Sequence, residues 1–220
     1  MGGNLQNRKR GADPTFPRLL GERLCLDFVN TIESPLGAHP EDFLRGYPDL
    51  AQWARHVGLL DDAATARLLD EGVRRPDAAA EVFRRAVDLR AALTRIFRAV
   101  AHGETPAAND LARLQEAYLA ALARARLAPT EWGYDWAWAE PANALEQPLW
   151  AVTRSAVEVL TTDEPARIKQ CPGANGCGWL FYDTSKNGSR RWCSMEGCGS
   201  RVKMRQYYAR RHARSATSST

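Results

Sequence analysis

Four cysteines in the last quarter of the chain, Cys171 and Cys177 followed by Cys193 and Cys198, constrain this sequence more than any other feature. Their C-x5-C-x15-C-x4-C frame delivers two close pairs of soft ligands from two separate segments, which is what a tetrahedral zinc site requires. Two disulfides would suit an exported domain, but the opening residues Met1-Gly2-Gly3-Asn4-Leu5-Gln6-Asn7-Arg8-Lys9-Arg10 hold no apolar core for a signal peptide. The spacing also lacks the tight C-x2-C runs of ferredoxins, and no redox C-x-x-C pair is present. His212 follows Cys198 by fourteen positions, roughly 21 Å along a helix and outside any shared coordination sphere. The expected site is therefore all-cysteine: Cys171, Cys177, Cys193 and Cys198 around one structural Zn2+ per chain. Cys25, between Leu24 and Leu26, reads as a small buried apolar residue.

The residues inside the frame predict its scaffold. Gly178-Trp179-Leu180-Phe181-Tyr182-Asp183 is rich in strand formers, Asn187-Gly188 is a tight-turn signal, and Ser189-Arg190-Arg191-Trp192-Cys193 is the expected return strand. A β-hairpin between the two ligand pairs follows. Residues 201–214 contain no proline or glycine, so a helix of about four turns should begin near Cys198. Knuckle, hairpin and helix in that order make a treble-clef-like finger.

Charge separates this finger from the rest. From residue 165 onward eleven Lys or Arg face only Asp183 and Glu196, a net +9 within a chain whose total is +4, so the body before it carries −5. That asymmetry is the footprint of a nucleic-acid binder. No acid follows Glu196, so the cations between Arg201 and Arg214 have no partner on their own helix and repel one another. Arg190, Arg191, Arg201, Lys203, Arg205, Tyr208, Arg210 and Arg211 are the candidate DNA contacts, with Tyr207 adding stacking surface. An RNA-binding, translation-associated factor and a protein-interaction module with a purely structural finger are the competing readings.

The run Cys177-Gly178-Trp179-Leu180-Phe181, Asp183, Ser185, Asn187, Arg190-Arg191-Trp192-Cys193-Ser194-Met195, Cys198-Gly199-Ser200-Arg201 and Lys203 resembles the CGNR zinc finger of bacterial proteins. Upstream, Leu24-Cys25-Leu26-Asp27-Phe28-Val29-Asn30-Thr31 is similar to the opening motif of the ABATE domain that precedes this finger, and Leu89-Arg90 resembles its central helix. Together the two resemblances cover nearly the whole chain. They imply a stress-induced transcription regulator, and with the basic finger they make double-stranded DNA the expected partner. The signature Asn is Ser200 here, which leaves a base contact by that side chain open. Capping of the basic helix is the expected role of Ser200.

Four apolar stripes of helical period mark the body as mainly α: Leu50, Trp53, Ala54 and Val57; Val82 through Val100; Leu111, Leu114, Tyr118, Ala121 and Leu122; and Leu145, Leu149, Val152, Ala156 and Leu160. Between the last two, Trp132, Tyr134, Trp136 and Trp138 alternate with other residues and share one face of a strand. They are expected to cap the bundle core. The alternative makes them the wall of an effector pocket, to which Asp27, Asn30 and Arg90 are the polar candidates. No nucleotide-binding or hydrolase motif occurs, and a closed four-thiolate site has no open position for substrate water, so a non-enzyme is expected.

The resulting expectation has four parts: a basic arm at 1–17, a helical sensor or assembly domain at 18–165, the finger at 166–214 and a tail at 215–220. Thr161-Thr162-Asp163-Glu164-Pro165 serves as linker. A small-molecule effector and a homodimer are candidate partners. A nucleoid-associated cytoplasmic location, without a membrane, completes the reading.

Overall fold

The computed structural model describes residues 15–33, 35–138, 144–162, 165–173 and 177–217, with side chains through 209. Most of the expected arm, part of the expected linker and the end of the tail lie outside the described residues.

The body is helical. A short α1 (Leu24–Val29) leads through the two-residue strands β1 (Ile32–Glu33) and β2 (Glu41–Asp42) to α2 (Tyr47–His56), α3 (Asp62–Arg74), α4 (Pro76–Ala101) and α5 (Ala108–Leu122). Next come the paired strands β3 (Ala125–Thr130) and β4 (Gly133–Trp138), then α6 (Gln147–Thr161). Proline opens α2, α4 and α6, where its missing N–H costs nothing. The stripe of α4 closes on the core: Val82, Ala86, Leu89, Leu93, Ile96 and Phe97 are all buried, against Leu26 and Phe28 of α1 and Val152 and Ala156 of α6. No stripe announces α3, because its inner face mixes Leu68 with Thr65 and Glu71. Its start is nevertheless legible in Asp61, whose carboxylate accepts the Ala64 amide at 2.7 Å.

The finger begins with a turn at Pro165–Arg167 and β5 (Ile168–Gln170), which pairs antiparallel with β6 (Leu180–Tyr182). A π-helical turn at Met195–Gly199 then feeds α7 (Ser200–Thr217). The hairpin thus encloses the first cysteine pair; it does not lie between the two pairs as the sequence suggested. Asn187-Gly188 does turn, with Gly188 at φ +59 and its amide on the Ser185 carbonyl. Residues 189–193 form no strand, because the backbone amides of Ser189 and Arg190 bond the side chains of Ser185 and Asp183 instead of a ladder partner.

The alternation of β6 shows how the finger is seated. Leu180 and Tyr182, with Ile168 of β5, belong to the helical core, whereas Trp179 and Phe181 face the cysteines with Leu20 and Trp192. One strand is the wall shared by two cores, which is why this stretch reads as continuously apolar.

Candidate metal centre and the surface around it

The two cysteine pairs reach one point from different elements. Cys171 and Cys177 bracket the knuckle between β5 and β6, Cys193 ends the irregular loop, and Cys198 sits in the π-helical turn. All four are buried and their Sγ atoms lie within 4.8 Å of one another. Cys177 and Cys193 are separated by 3.6 Å and Cys193 and Cys198 by 3.7 Å, too far for a disulfide. Four thiolates at about 2.3 Å from a common centre in a tetrahedron would stand roughly 3.8 Å apart, so the spacing fits one zinc ion. Backbone closes over it at Gly173, where an added Cβ would come within 2.8 Å of both Cys198 Sγ and Cys177 Cβ.

The electrostatics point the same way. Hydrogen bonding from Cys177 and Cys193 holds the Cys171 thiol low, and the same cluster pushes Cys177 up to about 12 and Cys193 further still. One thiolate resists the next. A divalent cation removes that conflict, and the four cysteines form a site for one structural zinc ion.

A second polar centre braces the loop. Asp183 is fully buried and accepts Lys169 Nζ at 2.6 Å, the Ser185 hydroxyl at 2.5 Å, and the Ser185 and Arg190 amides at 2.9 Å each. Burial alone would raise its pKa, but these donors hold it well below the carboxylate range.

Among the candidate DNA contacts, Arg190 departs from expectation. Its Nε donates to Trp192 O at 3.1 Å, Nη1 pairs with Glu22 at 3.2 Å, and Nη2 reaches Leu20 O at 3.3 Å and Cys193 O at 2.5 Å. The guanidinium also lies 4.6 Å from the Phe181 ring centre. Four of its five N–H groups are thus spent, two fastening the finger to the segment before α1 and two holding the carbonyls of its own loop. Arg191, Arg201, Lys203, Arg205 and Tyr208 are exposed, and Arg210 and Arg211 continue along the backbone of α7. Tyr207 and Tyr208 meet edge to face at 5.7 Å. Val202 is half-buried and Ala209 exposed, so the small apolar residues of α7 have little to pack on.

Ser200 is not the cap. Its hydroxyl donates to Met195 O at 2.9 Å, while Ser194 accepts the Gly197 amide and caps the π-helical turn. The extra turn moves the helix start five residues upstream, ahead of the position that the sequence marked.

The candidate pocket residues fall into two groups with different neighbours. Asn30 bonds both polar groups of Leu180, donating to O at 2.8 Å and accepting from N at 3.0 Å, and so acts as a third strand beside β6. Asp27 accepts the Gly21 amide at 2.8 Å, and Gly21 O in turn receives the Tyr182 amide. Buried Arg90 makes a two-pronged pair with Asp42 at 2.5 and 2.8 Å and donates to Thr31. The Trp179 indole donates to Ile32 O at 2.8 Å. The sequence singled out Asp27, Asn30 and Arg90 without revealing that Asn30 bonds the finger, 150 residues away, while Asp27 and Arg90 find their partners within the body.

The aromatic group lies elsewhere. Trp138 packs on Trp150 with ring centres 5.2 Å apart and planes tilted by 50°, and Trp136 joins it beside a recess of about 100 Å³ lined also by Tyr118, Leu122, Arg154 and Glu158. Trp132, in the turn, and Tyr134 are exposed. The expected capping of the core holds only at the Trp138 root, because β3–β4 extends past the helices it springs from.

Two family models match the chain. ABATE, carrying the description "Putative stress-induced transcription regulator", matches residues 22–163. The CGNR zinc finger matches residues 167–211. No curated protein matches. Since the first model spans more than half of the chain, the protein belongs to the ABATE family, with a CGNR zinc finger at its C-terminal side.

Proposed function

We propose that this protein regulates transcription by binding double-stranded DNA through α7 and the adjoining Arg191. The observation that carries this reading is α7 itself: residues 201 and 203–209 are exposed, the helix carries six cations and no acid, and its main contact is the π-helical turn at its own start. A cationic helix exposed along most of its described length finds no core to join, and its own sequence carries no acid to offset its charges. A polyanion supplies both a surface and counter-charges. Zinc and the shared wall of β6 then serve to aim this helix from a fixed base. The body acts in this reading as a platform and assembly unit. Its aromatic recess of about 100 Å³ is small beside the roughly 300 Å³ and upward of ligand sites.

Salt dependence tests the proposal. With Arg191, Arg201, Lys203, Arg205, Arg210 and Arg211 on about six phosphates, log K for duplex DNA should fall against log[salt] with a slope near −5. Replacing Arg201 and Arg205 by Ala should flatten the slope by about two. An unchanged slope would place the binding surface elsewhere, and preferential competition by structured RNA would replace DNA with RNA as the target.

A further inference from the structure

We propose that two copies of this chain pair through the β3–β4 ribbon, apolar face against apolar face. Register puts Ala125 opposite Trp138, Leu127 opposite Trp136 and Pro129 opposite Tyr134, so these six side chains share one face of the ribbon. At its root this face is half-buried, with Trp138 on Trp150. Outward it becomes bare: Trp136 is 46 % exposed, Leu127 60 %, Tyr134 75 % and Trp132 at the turn 66 %. A surface that packs on its own helices at one end and continues uncovered at the other has the form of an arm that grips a neighbour.

Area and charge select the occupant. With aromatic side chains offering roughly 150–250 Å² each, the bare part amounts to about 500 Å² per chain, and two such faces bury about 1,000 Å², the threshold of a specific interface. Residues 124–138 carry two arginines and two acids, so no net charge draws a polyanion to the ribbon. Addition at the strand edges is obstructed: Pro129 has no N–H to offer from β3, and the Trp136 amide of β4 is taken by the Asp135 carboxylate at 2.7 Å. The faces remain. A two-fold axis placing each Trp132 against the partner ribbon matches like with like and closes the assembly at two chains.

The test is sedimentation equilibrium of the full zinc-loaded chain, without nucleic acid, across roughly 1–100 µM. The wild type should pass from monomer to dimer in that range. Trp132→Ser combined with Tyr134→Ser should raise the dissociation constant about tenfold or more and leave the thermal midpoint unchanged at concentrations where the wild type is monomeric, since both side chains are exposed. A wild type that stays monomeric throughout, or a double variant that dimerises equally well, overturns the proposal. A monomeric wild type whose double variant loses affinity for duplex DNA would overturn it too, and would assign the ribbon to nucleic acid. Because the measurement contains no DNA, failure of the α7 reading leaves it untouched.

Discussion

Asp183 and Arg190 set the limit of what residue types disclose. Both were visible in the sequence, one as part of a hairpin and the other as part of a basic surface, and both turn out to be fasteners. A basic residue in a basic segment reads as a phosphate contact until the acid and carbonyls around it are known, and those of Arg190 come from Glu22, Leu20, Trp192 and Cys193. The cysteines escape this ambiguity because their spacing alone encodes their meeting. For Asp183 the sign of its effect follows from its depressed pKa: it stabilises the fold above the unfolded value of about 3.9, and loses that effect as pH falls through and below it. Asp183→Asn should lower stability by about 2–4 kcal/mol at neutral pH, since Lys169 is left without its counter-charge. In urea titrations the gap between wild type and variant should narrow below about pH 4. A gap constant down to pH 3 would refute the role given to the charge.

β6 shows why element type was easier to read than element pairing. The alternation Trp179-Leu180-Phe181-Tyr182 announces a strand, but periodicity states only that both faces are apolar, not what lies against each. Its true partners are β5, which follows directly on the turn at Pro165–Arg167, and the carboxamide of Asn30. The turn signal was similarly sound locally, and the Asn187-Gly188 turn formed without its second strand. Asn30→Ala should therefore act like removal of an edge strand. With Leu180 N–H and C=O left unpartnered in the interior, the cost should be about 2–4 kcal/mol, and zinc should pass to a competing chelator faster than from wild type. Equal rates of transfer would mean that the Asn30 bond does not support the finger. The β3–β4 ribbon makes the complementary point: its period-two pattern was legible, and its overhang was not, because exposure depends on where the helices end.

At the scale of the whole molecule, two compositional halves of opposite charge fold as one object. The charge step and the cysteine cluster suggested a detachable finger on a linker, yet Ile168, Leu180 and Tyr182 complete the helical core and Arg190 and Trp179 bond the body directly. Removing zinc should accordingly lower the stability of the helices along with that of the finger, in a single cooperative thermal transition shifted downward. Calorimetry of the chelated protein showing an unshifted helical transition beside a lost finger transition would restore the two-part picture. The bond between Asn30 and Leu180 also bears on how the chain is made. Its ends are separated by 150 positions, so α1 leaves the ribosome long before its partner strand exists. Until residue 182 emerges, the nascent helices carry an open apolar seat where Ile168, Leu180 and Tyr182 will lie. The interval between completion of α6 and emergence of β6 is a period of exposure that ends only when the finger arrives to shut it.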